Sequence, residues 1–320
     1  MSLSTLRPHG GTSAGALLVL GSATCFGLSV VAAKAVFATE TTVQGMLVGR
    51  FAIAALVFWA IVAVRRPAWP GTRTIVTCLG LGAVGYAAQS GLYFGAVAAM
   101  SAGTAALLLY TYPALVTLAG FLTRRESPTR RTLTALACSA VGMVLLLGLG
   151  DLGTGSSTGA ALALGAALTC AIYTIAAATV PRSADIFLVM AVLTSAALAS
   201  LTVFSMATST PLGLGASPRA WGWIAAFSLV GTVLALVLHQ SGLQRLGPSR
   251  TAILSCVEPV VAAVSVALVF GERLTLGQVL GGAAVLGAVV VLQSRRGAPR
   301  VARLPKVGRA ERDTPHPYAA

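Results

Sequence analysis

A carboxylate and a proline stand side by side inside an otherwise apolar segment of this chain. In "LSCVEPVVAAV", which runs from Leu254, Glu258 is followed directly by Pro259. Proline removes one hydrogen bond of a helix, kinks it, and leaves a backbone carbonyl near Ser255 and Cys256 without its usual donor. A carboxylate beside an exposed carbonyl is a polar site that can accept a proton or an ammonium group. Glu258 is therefore the first candidate for chemistry.

Arg50 is a second charged residue in an equally apolar segment, "VGRFAIAAL". Its planar guanidinium can hold a carboxylate through two parallel hydrogen bonds, so Arg50 is a candidate clamp for an anion. A structural ion pair and a side chain that extends to the outer membrane interface are the alternatives, and the sequence leaves them open. Lys34 lies nearer the end of its segment and is assigned to the interface.

Uncharged polar side chains in apolar segments complete the set of candidates. His239 can bind a substrate or titrate near neutral pH, although its place near the end of a segment also fits an interfacial role. The amide of Gln89 must find a partner if it is buried. Four tyrosines offer hydroxyls on aromatic faces, which suits either packing or a partly apolar cavity; they are Tyr93, Tyr110, Tyr112 and Tyr173.

The elements that must position these residues are predicted to be membrane spans. Of 320 residues, 56% are hydrophobic and 9% are charged, against roughly a quarter charged in soluble domains. Ten apolar runs have about the 20 residues that a helix needs to cross a bilayer. The sequence therefore predicts an all-α polytopic membrane protein with spans at 14–36, 43–64, 74–98, 102–123, 131–150, 159–180, 185–207, 220–243, 249–270 and 274–293.

The basic residues predict the orientation of these spans. With the first terminus inside, only Arg219 and Arg273 of the 22 basic residues fall in loops on the opposite side, and Lys34 and Arg50 fall within spans. This asymmetry follows the positive-inside rule and predicts a multi-pass protein of the plasma or inner membrane with both termini in the cytoplasm. The net charge of +14 is thus a topology signal, and no nucleic-acid partner is expected.

The second half of the chain repeats the first at an offset of 144–146 residues. "GALLVLGSATCFGLSVVAAK" from Gly15 aligns with "GAALALGAALTCAIYTIAAA" from Gly159, and Pro113 aligns with Pro259. In this alignment Tyr112 stands where the second repeat has Glu258. Each repeat holds five spans, and because five is odd the second repeat is inverted relative to the first. Inverted repeats are typical of secondary transporters, whose site lies near the midplane where the halves meet; a duplication that serves folding alone is the alternative.

The predicted domains follow from this repeat. A cytoplasmic tail, 1–12, precedes the first repeat, 13–150, and the second repeat, 157–293, is followed by a basic tail, 294–320, that is predicted to be disordered. Two G-x-x-x-G pairs, Gly91 with Gly95 and Gly277 with Gly281, predict close helix contacts. Glu126 and Glu272 fall in loops and are interpreted as structural acids.

Three segments carry a resemblance to a known family. "SGLQRLGPSRTAILSCVEPVVAAVSVALVFGERLTLGQVLGGAAVLGAVVVL", from Ser241, resembles the second half of an EamA-type transporter of the drug/metabolite transporter superfamily. "FGAVAAMSAGTAALLLYTYPALVTLAGFLTRRE", from Phe94, is similar to the first half, and "VGRFAIAAL", from Val48, resembles the family's second span. The resemblance covers roughly residues 13–293. It implies ten helices in two inverted repeats and the transport of small polar metabolites, often amino acids and commonly as export.

We therefore expect a secondary transporter that exports amino acids or related compounds by alternating access, with the proton as a candidate coupling ion. A lipid-carrier translocase with a lateral opening is the alternative, and an intramembrane enzyme built on Glu258 with Arg50 or His239 is less favoured. The chain has no H-E-x-x-H, G-x-S-x-G or Walker A motif and no metal-spaced Cys/His cluster, so no enzyme, cofactor or metal is predicted. The expected partners are a small-molecule substrate and the lipid bilayer, in a monomer or homodimer. The predicted pathway residues are Glu258, Pro259, Arg50, Gln89, Tyr93, Tyr110, Tyr112, Pro113, Tyr173, His239 and Ser255.

Overall fold

The structure of the protein is a computed structural model that describes residues 10–100, 102–124, 129–148, 157–213, 217–271 and 273–293. Within these residues the regular secondary structure is helical. Ten helices are long and apolar enough to cross a membrane, which confirms the predicted number of spans. The basic tail and the loop acids Glu126 and Glu272 lie outside the described residues.

The ten spans are numbered α1 to α10 in chain order. They are α1 Ser13–Phe37, α2 Val43–Arg65, α3 Thr72–Val97, α4 Gly103–Leu122, α5 Arg130–Leu147, α6 Ser157–Ala177, α7 Ile186–Ala207, α8 Pro218–Leu246, α9 Pro248–Phe270 and α10 Leu276–Gln293. No end differs from its predicted position by more than three residues. The length of an apolar run therefore located each span well.

Local sequence explains where several spans begin and end. Side-chain oxygens cap α2, α5, α7 and α8 by accepting from backbone N–H groups two or three residues further on; the caps are Thr42, Thr129, Asp185 and Ser217. Such caps satisfy first-turn amides that have no partner inside the helix. The α8 helix continues three residues past its predicted end and stops at Gly247, whose φ of 81° is open to glycine.

The helices pack in a pattern that is unchanged when the two repeats are exchanged. Each of α2 and α5 packs against its own counterpart, α7 and α10 respectively. The α1 helix packs against α8 and α9, and its counterpart α6 packs against α3 and α4. This is the contact set of two five-helix halves related by an approximate twofold axis. Because each half has an odd number of spans, the two halves run through the membrane in opposite directions.

Two pairs of corresponding helices are interrupted, and the first pair is α3 and α8. The α3 helix contains one π-helical segment, Leu81–Tyr86, and α8 contains one at Leu229–Leu234. Single π-helical turns inside α-helices occur frequently at functional sites. Because α3 and α8 are the third helices of the two repeats, their interruptions are equivalent features of the two halves.

The other interrupted helices are α4 and α9, which are broken near the middle of the span. The second segment of α4 begins at Tyr112, one residue before Pro113, and the second segment of α9 begins at Glu258, one residue before Pro259. The proline lies in the first turn of each second segment, where its missing N–H removes nothing from that segment. The kink that was predicted from Pro259 is confirmed, and Pro113 makes its counterpart.

Two glycines bring α5 and α10 into close contact. A Cβ atom added at Gly281 would lie 2.5 Å from the carbonyl oxygen of Gly142 and would also meet the backbone of Leu146. The predicted contact at the second G-x-x-x-G pair is therefore confirmed. The same prediction is wrong at Gly91, where an added Cβ would meet no described atom within 4 Å, although at Gly95, one turn further on, it would lie 3.3 Å from Leu162 of α6.

We expect Gly281→Ala to destabilise the fold by about 1–3 kcal/mol, because the added methyl group must push two helix backbones apart. Thermal unfolding of the detergent-purified protein measures the effect as a fall of several degrees in melting temperature. Gly287→Ala on the same helix is the matched control, since an added Cβ there meets nothing within 4 Å. Equal melting temperatures for the two variants would contradict the close contact.

Candidate functional site

The broken segments of α4 and α9 lie against each other. The hydroxyl of Tyr110, in the α4 break, is within hydrogen-bonding reach of the Glu258 carboxylate in the α9 break. The hydroxyl of Tyr112 donates to the carbonyl oxygen of Ala252 at 3.4 Å and is within reach of the Ser255 side chain. We call residues 109–113 and 255–259 the double break. Each break thus supplies the polar partners of the other.

Equivalent positions of the double break carry different chemistry. Tyr112 and Glu258 both stand directly before a proline, yet one is a phenol and the other a carboxylate. Glu258 lies in the first turn of its helical segment, where the partial positive charge of the helix N-terminus favours an anion. Its side chain is half-buried, whereas Tyr112 is buried. The two repeats therefore share the backbone geometry, and at this position only the second repeat carries an acid.

Glu258 is the electrostatic centre of a polar cluster. Polar side chains from four other spans and one from its own span lie within electrostatic range of its carboxylate; they are Arg50, Tyr86, Tyr93, Tyr110, Tyr112, Cys170 and Cys256. They belong to α2, α3, α4, α6 and α9. We call Glu258 and these seven residues the central cluster. It draws on both repeats, as a site between the two halves requires.

The guanidinium of Arg50 lies over two aromatic rings. Its central carbon is 4.6 Å from the ring centroid of Phe51 and 4.7 Å from that of Phe227, a geometry that stabilises a cation through the ring faces. Its Nε is buried without a hydrogen-bond partner, and the guanidinium makes no hydrogen bond or direct ion pair with the described residues. Arg50 and Glu258 attract each other through space without contact. The structural ion pair that the sequence left open is thus absent from the described part of the chain.

The backbone at Arg50 is fixed by α8. The hydroxyl of Ser228 donates to the Arg50 carbonyl oxygen at 2.7 Å, directly before the π-helical segment of α8. Ser228 and the neighbouring Phe227 therefore hold the main chain and the side chain of Arg50 together. The position of the Arg50 cation is therefore set by α2 and α8, which belong to different repeats.

Tyr86 is a member of the central cluster that the sequence analysis missed. Its ring makes edge contacts with Phe51 and Tyr173, with 5.3 Å between centroids in each case, and it interacts electrostatically with Arg50. Tyr86 is the last residue of the π-helical segment of α3. A tyrosine hydroxyl inside a predicted span could have marked Tyr86 as a candidate. No sequence rule, however, predicts the π-helical turn that sets the direction of its side chain.

The other predicted residues are placed unequally. Tyr93 interacts with Glu258, and Tyr173 is buried against Tyr86. Gln89 and His239 are half-buried, and within the described residues neither has a hydrogen bond or charge interaction that joins it to Glu258 or Arg50. The structure thus places three of the four predicted tyrosines near the carboxylate and leaves Tyr173, the amide and the imidazole outside the central cluster.

Comparisons with known proteins agree with this architecture. Residues 13–148 and 157–293 each match the model of the EamA-like transporter family. One solved crystal structure, at 18% sequence identity, superposes with a TM-score of 0.71 over 88% of this chain and 96% of that chain, so the fold is shared.

Two bacterial relatives are transporters by description. The uncharacterized transporter YcbK of Bacillus subtilis is 26% identical over 298 residues, which is 89% of this chain and 94% of the relative. The uncharacterized inner membrane transporter YicL of Salmonella typhimurium is 31% identical over 204 residues, which is 62% of this chain and 67% of the relative. With both repeats matched and ten spans in place, the chain is a multi-pass membrane transporter that belongs to the EamA-like transporter family.

Proposed function

We propose that this protein exports small zwitterionic metabolites, amino acids and related compounds, across the plasma or inner membrane by alternating access. The observation that carries the proposal is a cation and an anion in the membrane interior that attract each other without touching. Arg50 belongs to α2 and Glu258 to α9, and the two side chains are within electrostatic range of each other. A zwitterionic substrate carries a carboxylate that can pair with Arg50 and an ammonium group that can pair with Glu258.

The substrate carboxylate is assigned to Arg50. A guanidinium has five N–H donors in a fixed fork that matches the two oxygens of a carboxylate. The guanidinium lies over the rings of Phe51 and Phe227, and its N–H donors have no hydrogen-bond partner among the described residues, so they are available to a ligand. A cation kept in the membrane interior without a direct anionic partner is strongly disfavoured unless it serves binding or translocation.

The substrate ammonium group is assigned to Glu258 and the surrounding acceptors. The carboxylate, the Tyr110 hydroxyl and the Ser255 carbonyl that Pro259 leaves without a donor all lie within the double break. Three oxygen acceptors suit the three N–H bonds of an ammonium group. When Glu258 loses a proton, or when the substrate leaves, the net charge of the site between the two halves changes.

The twofold arrangement supports alternating access. Two inverted halves can exchange conformations, so that a site between them opens to one side of the membrane and then to the other. The interrupted helices α3, α4, α8 and α9 give each half its own points of bending. Export as the direction of net transport rests on the family resemblance, and a proton on Glu258 is the proposed coupling ion.

Counterflow into proteoliposomes without nucleotide tests the proposal. Vesicles loaded with an unlabelled amino acid mixture should accumulate labelled amino acid, and an excess of a competing amino acid should abolish the signal. The methyl ester of that amino acid, which lacks the carboxylate, and its deaminated acid, which lacks the ammonium group, should compete at least tenfold less well. Equal competition by either analogue would contradict the two-charge site, and chemical conversion of the amino acid or movement of labelled lipid would favour the enzyme or the lipid-carrier alternative.

A further inference from the structure

A cleft of about 380 Å³ lies where the α6–α7 connection meets the end of α8. It is lined by Arg182, Ala184, Ile186, Ser241, Gln244 and Arg245, none of which belongs to the central cluster. The lining therefore combines two guanidinium groups, a hydroxyl and an amide with two aliphatic side chains. This composition suits a ligand with an anionic head and hydrogen-bonding groups.

The positive charge of the cleft is not compensated within the described residues. Arg182 donates a hydrogen bond to the backbone carbonyl of Gln244, which fixes its guanidinium at the end of α8. Arg245 is exposed and makes no hydrogen bond or ion pair within the described part of the chain. The neighbouring acid, Asp185, accepts from two amides at the start of α7 and pairs with Arg65 at 3.4 Å. The acid is thus engaged elsewhere, and the two cleft arginines remain available to an anion.

The surroundings of the cleft favour a ligand that also has an apolar part. Arg245 lies against Gly15 of α1, where an added Cβ would be 3.0 Å from the Arg245 Cβ. Within the cleft, Ala184 and Ile186 offer aliphatic surface beside the two arginines. The positive-inside rule places this end of α8 on the cytoplasmic side, where anionic lipid head groups are concentrated. A basic recess with aliphatic lining at the end of two spans matches a phospholipid at the membrane surface.

We propose that this cleft binds the phosphate group of an anionic phospholipid. Arg182 and Arg245 contact the phosphate, and Ser241 and Gln244 supply hydrogen bonds to the polar head group. The acyl chains extend from the cleft into the surrounding bilayer. A lipid in this position contacts the start of α7 and the end of α8, so it stabilises the packing of these two helices.

The test is lipid binding by the purified full-length protein, measured by native mass spectrometry and by thermal stabilisation in mixed micelles. Phosphatidylglycerol is the probe, phosphatidylcholine is the neutral control, and inorganic phosphate distinguishes a free anion from a lipid. Arg245→Gln is the main variant, because Arg182 also holds the α8 carbonyl and its replacement can disturb folding. Arg219→Gln with Arg273→Gln, two exposed arginines at the opposite membrane face, is the matched control.

We expect Arg245→Gln to weaken phosphatidylglycerol binding about fivefold, the factor that corresponds to about 1 kcal/mol for one basic residue at a membrane surface. Arg245→Lys should bind nearly as well as the parent, and the control pair should be unchanged. Binding of inorganic phosphate with the same dependence on Arg245, and no gain from lipid, would keep the anion site and assign it to a free phosphate. Equal affinity in the parent and Arg245→Gln, or an equal loss in the control pair, would overturn the site.

Discussion

Replacing Arg50 with glutamine is expected to lower the transport of carboxylate-bearing substrates about 100-fold. Removal of one partner from a desolvated, hydrogen-bonded charge pair raises the free energy of binding by roughly 3 kcal/mol, and each 1.4 kcal/mol is a factor of ten. The measurement is the initial rate of counterflow in proteoliposomes at subsaturating substrate. Because glutamine has no charge, the same variant should lose its preference for the amino acid over the methyl ester.

Arg50→Lys separates charge from geometry. A lysine ammonium keeps the positive charge but cannot form two parallel hydrogen bonds, so we expect partial activity with a weaker apparent affinity. Melting temperature and membrane insertion should remain near the parent's for both variants. Parent-like transport by Arg50→Gln would show that the guanidinium is structural, and would remove the carboxylate site from the proposed function.

Replacing Glu258 with glutamine is expected to abolish transport against a gradient. Burial disfavours a charged carboxylate, whereas Arg50 and the helix N-terminus favour it, so the proton on this group responds to the occupancy of the site. Glutamine keeps the size and the hydrogen-bonding capacity but cannot exchange a proton. If Glu258 couples transport to protons, Glu258→Gln should lose proton-driven accumulation and keep exchange down a substrate gradient. If Glu258 binds the ammonium group throughout the cycle, both activities should fall at least tenfold.

Two matched variants accompany this experiment. Glu258→Asp keeps the titratable group and should retain coupled transport with a weaker apparent affinity. Tyr112→Phe changes the equivalent position of the first repeat without altering charge, and should keep proton dependence. A correctly inserted Glu258→Gln protein that accumulates substrate like the parent would contradict a functional carboxylate at this position.

The spans and their repetition could be predicted because each depends on local sequence. A run of about 20 apolar residues is sufficient to define a spanning helix, whatever it packs against. Polar first-turn residues such as Thr42 and Asp185 and the glycine at position 247 then mark helix ends by satisfying or releasing backbone groups. The break at Pro259 was predictable for the same reason, since the missing N–H acts within one turn.

The members of the central cluster could be predicted only in part. Glu258 and Arg50 were recognisable because a charge in an apolar span is disfavoured and needs a physical explanation. Gln89 and His239 were selected because a polar side chain in an apolar span also needs a partner. The structure nevertheless places neither of them in the central cluster. Tyr86 was missed because a helix turns by about 100° per residue, so the direction of one side chain depends on local winding as well as on spacing.

By itself the sequence determined that this chain is a ten-helix membrane protein with two inverted halves, a basic face and one acid beside a proline. Hydrophobic length, charge asymmetry and proline chemistry act over one helix or less, and they require no knowledge of neighbours. Only the tertiary structure decided that the α4 and α9 breaks meet and that Arg50 lies over the rings of Phe51 and Phe227 without a direct anionic partner in the described chain. It also decided that Tyr86 lies within electrostatic range of Arg50. Those contacts join residues far apart in the chain, and they depend on the rotation and crossing of each helix, which close-packed side chains settle together.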